Sequence, residues 1–160
     1  MERGSKESLF LLYKYMKQLS TYLTEALSPY LSTHEGEIGK EVFVVIKPGF
    51  LDKAPQIVDK FKRAGFVFKS WRSKQLTMGE AKRMYYVHKD EDFYYALCKY
   101  MSSAPCMGVI FEYWGEGNAF EIVGDLKDQI RKQFGEDDMR NCLHSSDSPE
   151  NMNKEMKVFF

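Results

Sequence analysis

The chain has 160 residues, long enough for one domain with an appendage, and 23 Lys and Arg balance 23 Asp and Glu. That zero net charge excludes a broad nucleic-acid footprint, and basic runs such as Lys60-Phe61-Lys62-Arg63 and Lys82-Arg83 read as solvated helix faces. The sequence contains no apolar run of membrane-spanning length. Lys14 and Lys17 interrupt the early Leu9–Leu12 cluster, which argues against a signal peptide. Cys98, Cys106 and Cys142 lack C-x-x-C spacing and suit buried thiols in a reducing cytosol, so the expectation is a cytoplasmic protein without disulfides or a metal site.

In chain order, Leu9, Leu12, Met16, Leu19, Leu23 and Ala26 form a helical stripe that Ser28-Pro29 ends, and residues 32–40 read as a linker. An isolated helix of this length is marginal in water, so its apolar face must meet either its own domain or a partner or second copy. The spacing leaves both open. Val42–Ile46 is a continuous β-branched run suited to a buried central strand, stopped by Lys47-Pro48-Gly49. Ile57, Val58, Phe61 and Ala64 give a helical face ending at Gly65, and Phe66–Trp71 reads as the next strand. Thr77-Met78-Gly79-Glu80 has capping-box spacing and opens a short helix through Tyr85. Phe93, Ala96, Leu97, Tyr100 and Met101 mark another helix, and Pro105–Phe111 another strand with Gly108 inside it. Two helical pieces are expected around Phe120–Val123 and Gln129–Phe134, and Ser148-Pro149-Glu150 starts a last short helix. Strands separated by helix pairs imply an α/β sandwich with helices on a small sheet.

The richest chemistry lies in Arg140-Asn141-Cys142-Leu143-His144-Ser145-Ser146-Asp147-Ser148, where one histidine sits among hydroxyls, an amide and a cation. A neutral imidazole there can attack phosphorus while nearby donors hold phosphate oxygens. Other residues have plainer readings alongside functional ones. Lys47 reads as a solvated strand end, either Tyr85 or Tyr86 as core, Phe93 as the start of a core stripe, and Glu155 as a surface charge. Clustered carboxylates of a metal-dependent hydrolase are lacking.

From about Glu41 to Phe160 the chain resembles the nucleoside diphosphate kinases. The match runs through Val45-Ile46-Lys47-Pro48, Ala64-Gly65-Phe66, Tyr85, Phe93 with Leu97–Met101, Ser103-Ala104-Pro105, Ile130-Arg131, Phe134-Gly135, Arg140 through Ser148, Lys154-Glu155 and Phe159-Phe160, in family order. The resemblance implies a ferredoxin-like βαββαβ core with a four-stranded antiparallel sheet over residues 41–160, preceded by a helical extension and linker over 1–40. It implies transfer of the γ-phosphate of a nucleoside triphosphate to a diphosphate through His144, with Glu155 bonded to the far ring nitrogen and Ser146 supporting Glu155. Lys47, Tyr85, Arg131 and Asn141 match groups on phosphates and ribose, and Phe93 the residue under the base. Mg²⁺ is expected with the nucleotide.

The chain also departs from the family pattern. Gly49-Phe50 stands where Asp-Gly or Asp-Ala is usual, and Phe120 and Leu126 fall where a second arginine and a threonine are expected, with Lys127 or Lys132 as candidate substitutes. The segment from Gly124 to Ile130 is shorter than in typical members, and the chain stops at Phe160 without the usual tail. In the family, that loop and tail support higher oligomers, so monomer or homodimer is expected here. These differences and the N-terminal helix resemble the family's ciliary and flagellar branch. They supply the alternative to a slow enzyme: a docking protein with a ciliary or cytoskeletal partner.

Overall fold

The computed structural model describes residues 10–18 and 40–160. Leu9, Leu19, Leu23, Ala26 and the linker up to residue 39 lie outside the described residues.

The β-branched run becomes β1 (Lys40–Ile46), the strand that organises the sheet. β3 (Cys106–Tyr113) pairs with one edge of β1 and β4 (Leu143–Ser145) with the other, while β2 (Phe66–Lys74) lies beyond β3. All pairings are antiparallel, in the order β2-β3-β1-β4 expected of the βαββαβ core. Alternation along β1 divides the interior. Val42, Val44 and Ile46 share a core with α2 (Ala54–Arg63) and α5 (Ala119–Phe134). Phe43 and Val45 share the other with α3 (Met78–Met84), α4 (Tyr94–Met101) and α6 (Pro149–Met156).

Local signals explain where the elements stop. Thr77 and Glu80 form the capping box, Gly65 adopts a φ of 91° after α2, and the Ser148 hydroxyl accepts from the Asn151 N–H at the head of α6. Gly108 lies opposite Val45 inside buried β3 because Phe159 packs over it: a Cβ there would come within 2.8 Å of that ring.

Two elements differ from the sequence expectation. The two helical pieces after residue 118 are one helix, α5, running through Gly124. Ala119, Val123, Leu126 and Ile130 recur at helical spacing and are all buried, which outweighs the cost of about 1 kcal/mol for one mid-helix glycine. The His144 segment forms the edge strand β4, whose three residues are too few to show a period.

Residues 10–18 form a helix, α1. Leu12 and Met16, one turn apart, are buried in the same core as Val42, Phe61 and Phe68, and the Tyr13 ring meets Trp71 of β2 edge-on at 5.8 Å. For these turns the partner is the chain's own domain. Met16→Ala is therefore expected to lower stability by about 2–5 kcal/mol. Leu11→Ala, at a side chain 66% exposed, should change it by no more than about 0.5 kcal/mol. Urea unfolding of the full chain measures both, and equally small effects would remove α1 from the core.

Candidate active site

The segment before His144 turns sharply. Cys142 has a φ of 68°, unusual for a residue with a Cβ, and the Leu143 N–H donates to the Asn141 carbonyl at 2.9 Å, giving a three-residue γ-turn. The Lys47 N–H donates to the Cys142 carbonyl at 2.9 Å and the Ser146 N–H to that of Phe43 at 3.0 Å, clamping β4 at both ends. Between them His144 lies opposite Val45. Leu143 enters the core shared with Ile46, so His144 takes the opposite face, where its ring meets Tyr85 edge-on at 5.3 Å.

His144 Nε2 lies 2.9 Å from Glu155 Oε2, and the Ser146 hydroxyl donates to the same oxygen. Glu155 and Ser146 are both buried. A carboxylate can only accept, so this contact assigns the ring proton to Nε2 and leaves the Nδ1 lone pair free. The three residues that the sequence grouped are thus brought together in one hydrogen-bonded set, and Glu155 is no surface charge.

Lys47 is no solvated strand end either: it is 3% exposed, and its Nζ donates to the Met139 carbonyl at 3.2 Å. Burial, then repulsion from Arg131, lowers its pKa to about 7. Burial also lowers the pKa values of Arg131 and Lys127, with Arg131 repelling Lys127 in turn. Arg131 Nε donates to the Leu143 carbonyl at 2.9 Å, tying α5 to the strand that carries His144. Of the two adjacent tyrosines, Tyr85 is buried and Tyr86 is 60% exposed. Burial, and to a lesser degree Glu155, push the Tyr85 hydroxyl well above its usual pKa, keeping it a neutral donor. Among the described residues the buried Tyr85 Oη and Asn141 Oδ1 have no hydrogen-bond partner, a costly condition that a polar ligand relieves. Asn141 Nδ2 donates to the Asp138 carbonyl at 2.7 Å.

These groups open onto a cleft of about 540 Å³. Lys47, Tyr85, Phe93, Arg131, Asn141 and His144 all line it, with Glu155 and Ser146 behind the histidine. Phe93, at the head of α4, is 45% exposed, so it is a wall of the cleft and not core. The sequence reading missed four lining residues: His88, Leu97, Asp138 and Met139. The last two belong to a loop that Asp137 folds by accepting from the Met139 and Arg140 N–H groups, a turn pattern visible in Asp137-Asp138-Met139-Arg140.

The departures also have structural explanations. Phe50 is buried in the core after Gly49 turns at a φ of 88°, Leu126 is buried on the core face of α5, and Phe120 packs between the two cores. None of these lines the cleft. Cations and neutral donors around a free imidazole nitrogen suit a phosphoryl group and its transfer.

A family model described as nucleoside diphosphate kinase matches residues 40–160. A nucleoside diphosphate kinase of Aquifex aeolicus is 31% identical over 135 residues, which cover 76% of this chain and 94% of the relative. One from Desulfatibacillum aliphaticivorans is 35% identical over 127 residues, covering 72% and 91%. An orthorhombic crystal form of the Aquifex aeolicus nucleoside diphosphate kinase matches with a TM-score of 0.68 at 29% identity, over 77% of this chain and 96% of that one.

The buried ammonium of Lys47 gives a test. Its folded pKa of about 7 lies below the ordinary lysine value of 10.5, so between those values the unfolded chain holds more protons. This contribution to stability is full above the upper value and is lost as pH falls toward the lower. The wild type should therefore gain on Lys47→Met from about pH 7.5 to about 10, with a slope approaching 1.4 kcal/mol per pH unit. Urea unfolding at matched pH reads the difference, and parallel profiles would place the ammonium in solvent.

Proposed function

The chain belongs to the nucleoside diphosphate kinase family, whose phosphotransfer it carries out, and we propose that the transfer runs through a phosphohistidine on Nδ1 of His144. The observation that carries this reading is the 2.9 Å contact of Nε2 with buried Glu155, which leaves Nδ1 as the nucleophile. Nδ1 attacks the γ-phosphorus of a nucleoside triphosphate, a P–N bond forms as the bond to the β–γ bridging oxygen breaks, and the diphosphate departs. A β-phosphate oxygen of a second diphosphate then attacks the phosphorus and the P–N bond breaks. Glu155 stabilises the ring as positive charge develops on it, and Ser146 holds the carboxylate in place.

Lys47 and Arg131 balance the charge of the transferred group, Tyr85 donates to it through its neutral hydroxyl, and Asn141 binds phosphate or ribose. Phe93 supports the base, consistent with its exposure at the mouth of the cleft. The lining is rich in cations and holds a single carboxylate, Asp138, so it suits a metal ion that arrives on the nucleotide. Mg²⁺ in this reading neutralises part of the triphosphate charge.

The domain is residues 41–160, and we assign any contact with a second copy, or with a ciliary or cytoskeletal partner, to the extension over 1–40. We place the protein in the cytoplasm; no helix among the described residues is long and apolar enough to cross a membrane. A docking role without chemistry is less well supported. Phe120 and Leu126 are explained by packing, whereas such a role gives no reason for a buried carboxylate held against His144.

Brief incubation with ATP labelled on its γ-phosphate should label the protein when Mg²⁺ is present. The label should survive alkali, be lost in acid and pass to added diphosphate; full labelling of His144→Ala would overturn the assignment. Phe93→Ala should weaken nucleotide binding by about 1–3 kcal/mol. Calorimetry reads that change, and it should exceed the accompanying loss of stability, because a half-exposed ring contributes less to the core than a buried one. Unchanged affinity with a large stability loss would return Phe93 to the core.

A further inference from the structure

Tyr100 falls on the apolar stripe of α4 and packs against the core shared with Phe43, yet it is only half-buried and its hydroxyl has a polar partner. That hydroxyl donates to the Pro48 carbonyl, in the turn that follows β1 and 52 residues away in sequence. Burial, and to a lesser degree Glu136, pushes its pKa up to about 12, so it stays a neutral donor. The turn carries Lys47, whose ammonium is opposed by burial and by the charge of Arg131. A strongly hydrated group on a flexible stem leaves for solvent unless both its root and its tip are held. The Met139 carbonyl holds the tip, and the Lys47 N–H on the Cys142 carbonyl holds the root on one side. On the other side Pro48 has no N–H to give, and the turn closes through the Phe50 N–H on the Lys47 carbonyl at 3.2 Å. The Pro48 carbonyl is where α4 takes hold of it.

We propose that Tyr100 is a positioning residue for phosphotransfer: it anchors the turn over residues 47–50 and thereby holds the Lys47 ammonium in the cleft. This rests on the phosphotransfer reading above. Tyr100 does not line the cleft, whereas Lys47 does, so the effect of the hydroxyl passes through Lys47.

Single-turnover labelling of the full chain by γ-labelled ATP with Mg²⁺ tests this in a double-mutant cycle of wild type, Tyr100→Phe, Lys47→Met and the double variant. Tyr100→Phe keeps the ring and loses only the hydroxyl. Its saturating rate should fall by about three- to tenfold, as one hydrogen bond implies, while the half-saturating ATP concentration stays within about twofold. Lys47→Met should lower the rate by about a hundredfold or more. Adding Tyr100→Phe to Lys47→Met should then change the rate by less than about twofold, because the group it positions is gone. Tyr94→Phe removes another α4 hydroxyl, which donates to the Lys82 carbonyl at 2.8 Å, and should leave the rate unchanged. An unchanged rate in Tyr100→Phe, or an equal fall in Tyr94→Phe, would overturn the assignment. So would the same fall on both backgrounds, which would route Tyr100 through the loop after α5 or through stability alone. Failure of the wild type to take label would sink the phosphotransfer reading itself, whereas label with additive losses sinks only the role of Tyr100.

Discussion

Three residue pairs between β1 and β4 fix the histidine, and the rest of the cleft is arranged around that short ladder. Because side chains alternate with a period of two, a slip of one residue would present Leu143 or Ser145 to Glu155 and turn His144 into the core. A strand this short holds register weakly on its own. The clamps from Lys47 and Ser146 at its ends and the Arg131 bond to the Leu143 carbonyl supply what length does not. All three also belong to the cleft: Lys47 clamps with its backbone while its side chain lines the cleft, Ser146 clamps with its backbone while its hydroxyl donates to Glu155, and Arg131 braces through Nε while lining the cleft.

Much of this was legible from residues alone because the signals were local. The β-branched run of β1, the Thr77–Glu80 cap and the Gly65 stop each act over a few residues, and each appears where expected. Of the six lining residues named beforehand, His144 stood out through its local polar neighbours, whereas the roles of Lys47, Tyr85, Phe93, Arg131 and Asn141 came from resemblance and not from any local period, since they converge from separate elements. What stayed hidden depended on tertiary context. Gly124 among Asp125, Lys127 and Asp128 reads as a break, and only burial of Val123, Leu126 and Ile130 keeps α5 continuous. Asp138 and Met139 enter the cleft through the shape of a loop, which composition does not reveal.

The site concentrates positive charge where solvent is scarce. Lys47 is buried within the field of Arg131 and Lys127, an arrangement unfavourable to the empty protein. A polyphosphate reverses the sign of that interaction, so stability lost by the free fold reappears as affinity. The same logic covers the unpaired Tyr85 Oη and Asn141 Oδ1. Cleft and core therefore answer to opposite demands: the core satisfies itself, and the cleft is satisfied by its ligand.

α5 bridges the two. Leu126 and Ile130 lie in the core while their immediate neighbours Lys127 and Arg131 carry the charge, so the helix acts as a fixed gauge between packing and electrostatics. Substitutions on one side leave that gauge in place. A single-residue insertion or deletion before Lys127 does not, because it rotates everything that follows by about 100°. The Arg131 guanidinium would then swing away from the cleft while apolar side chains turned toward water. Length in this helix is thus less free to drift than composition.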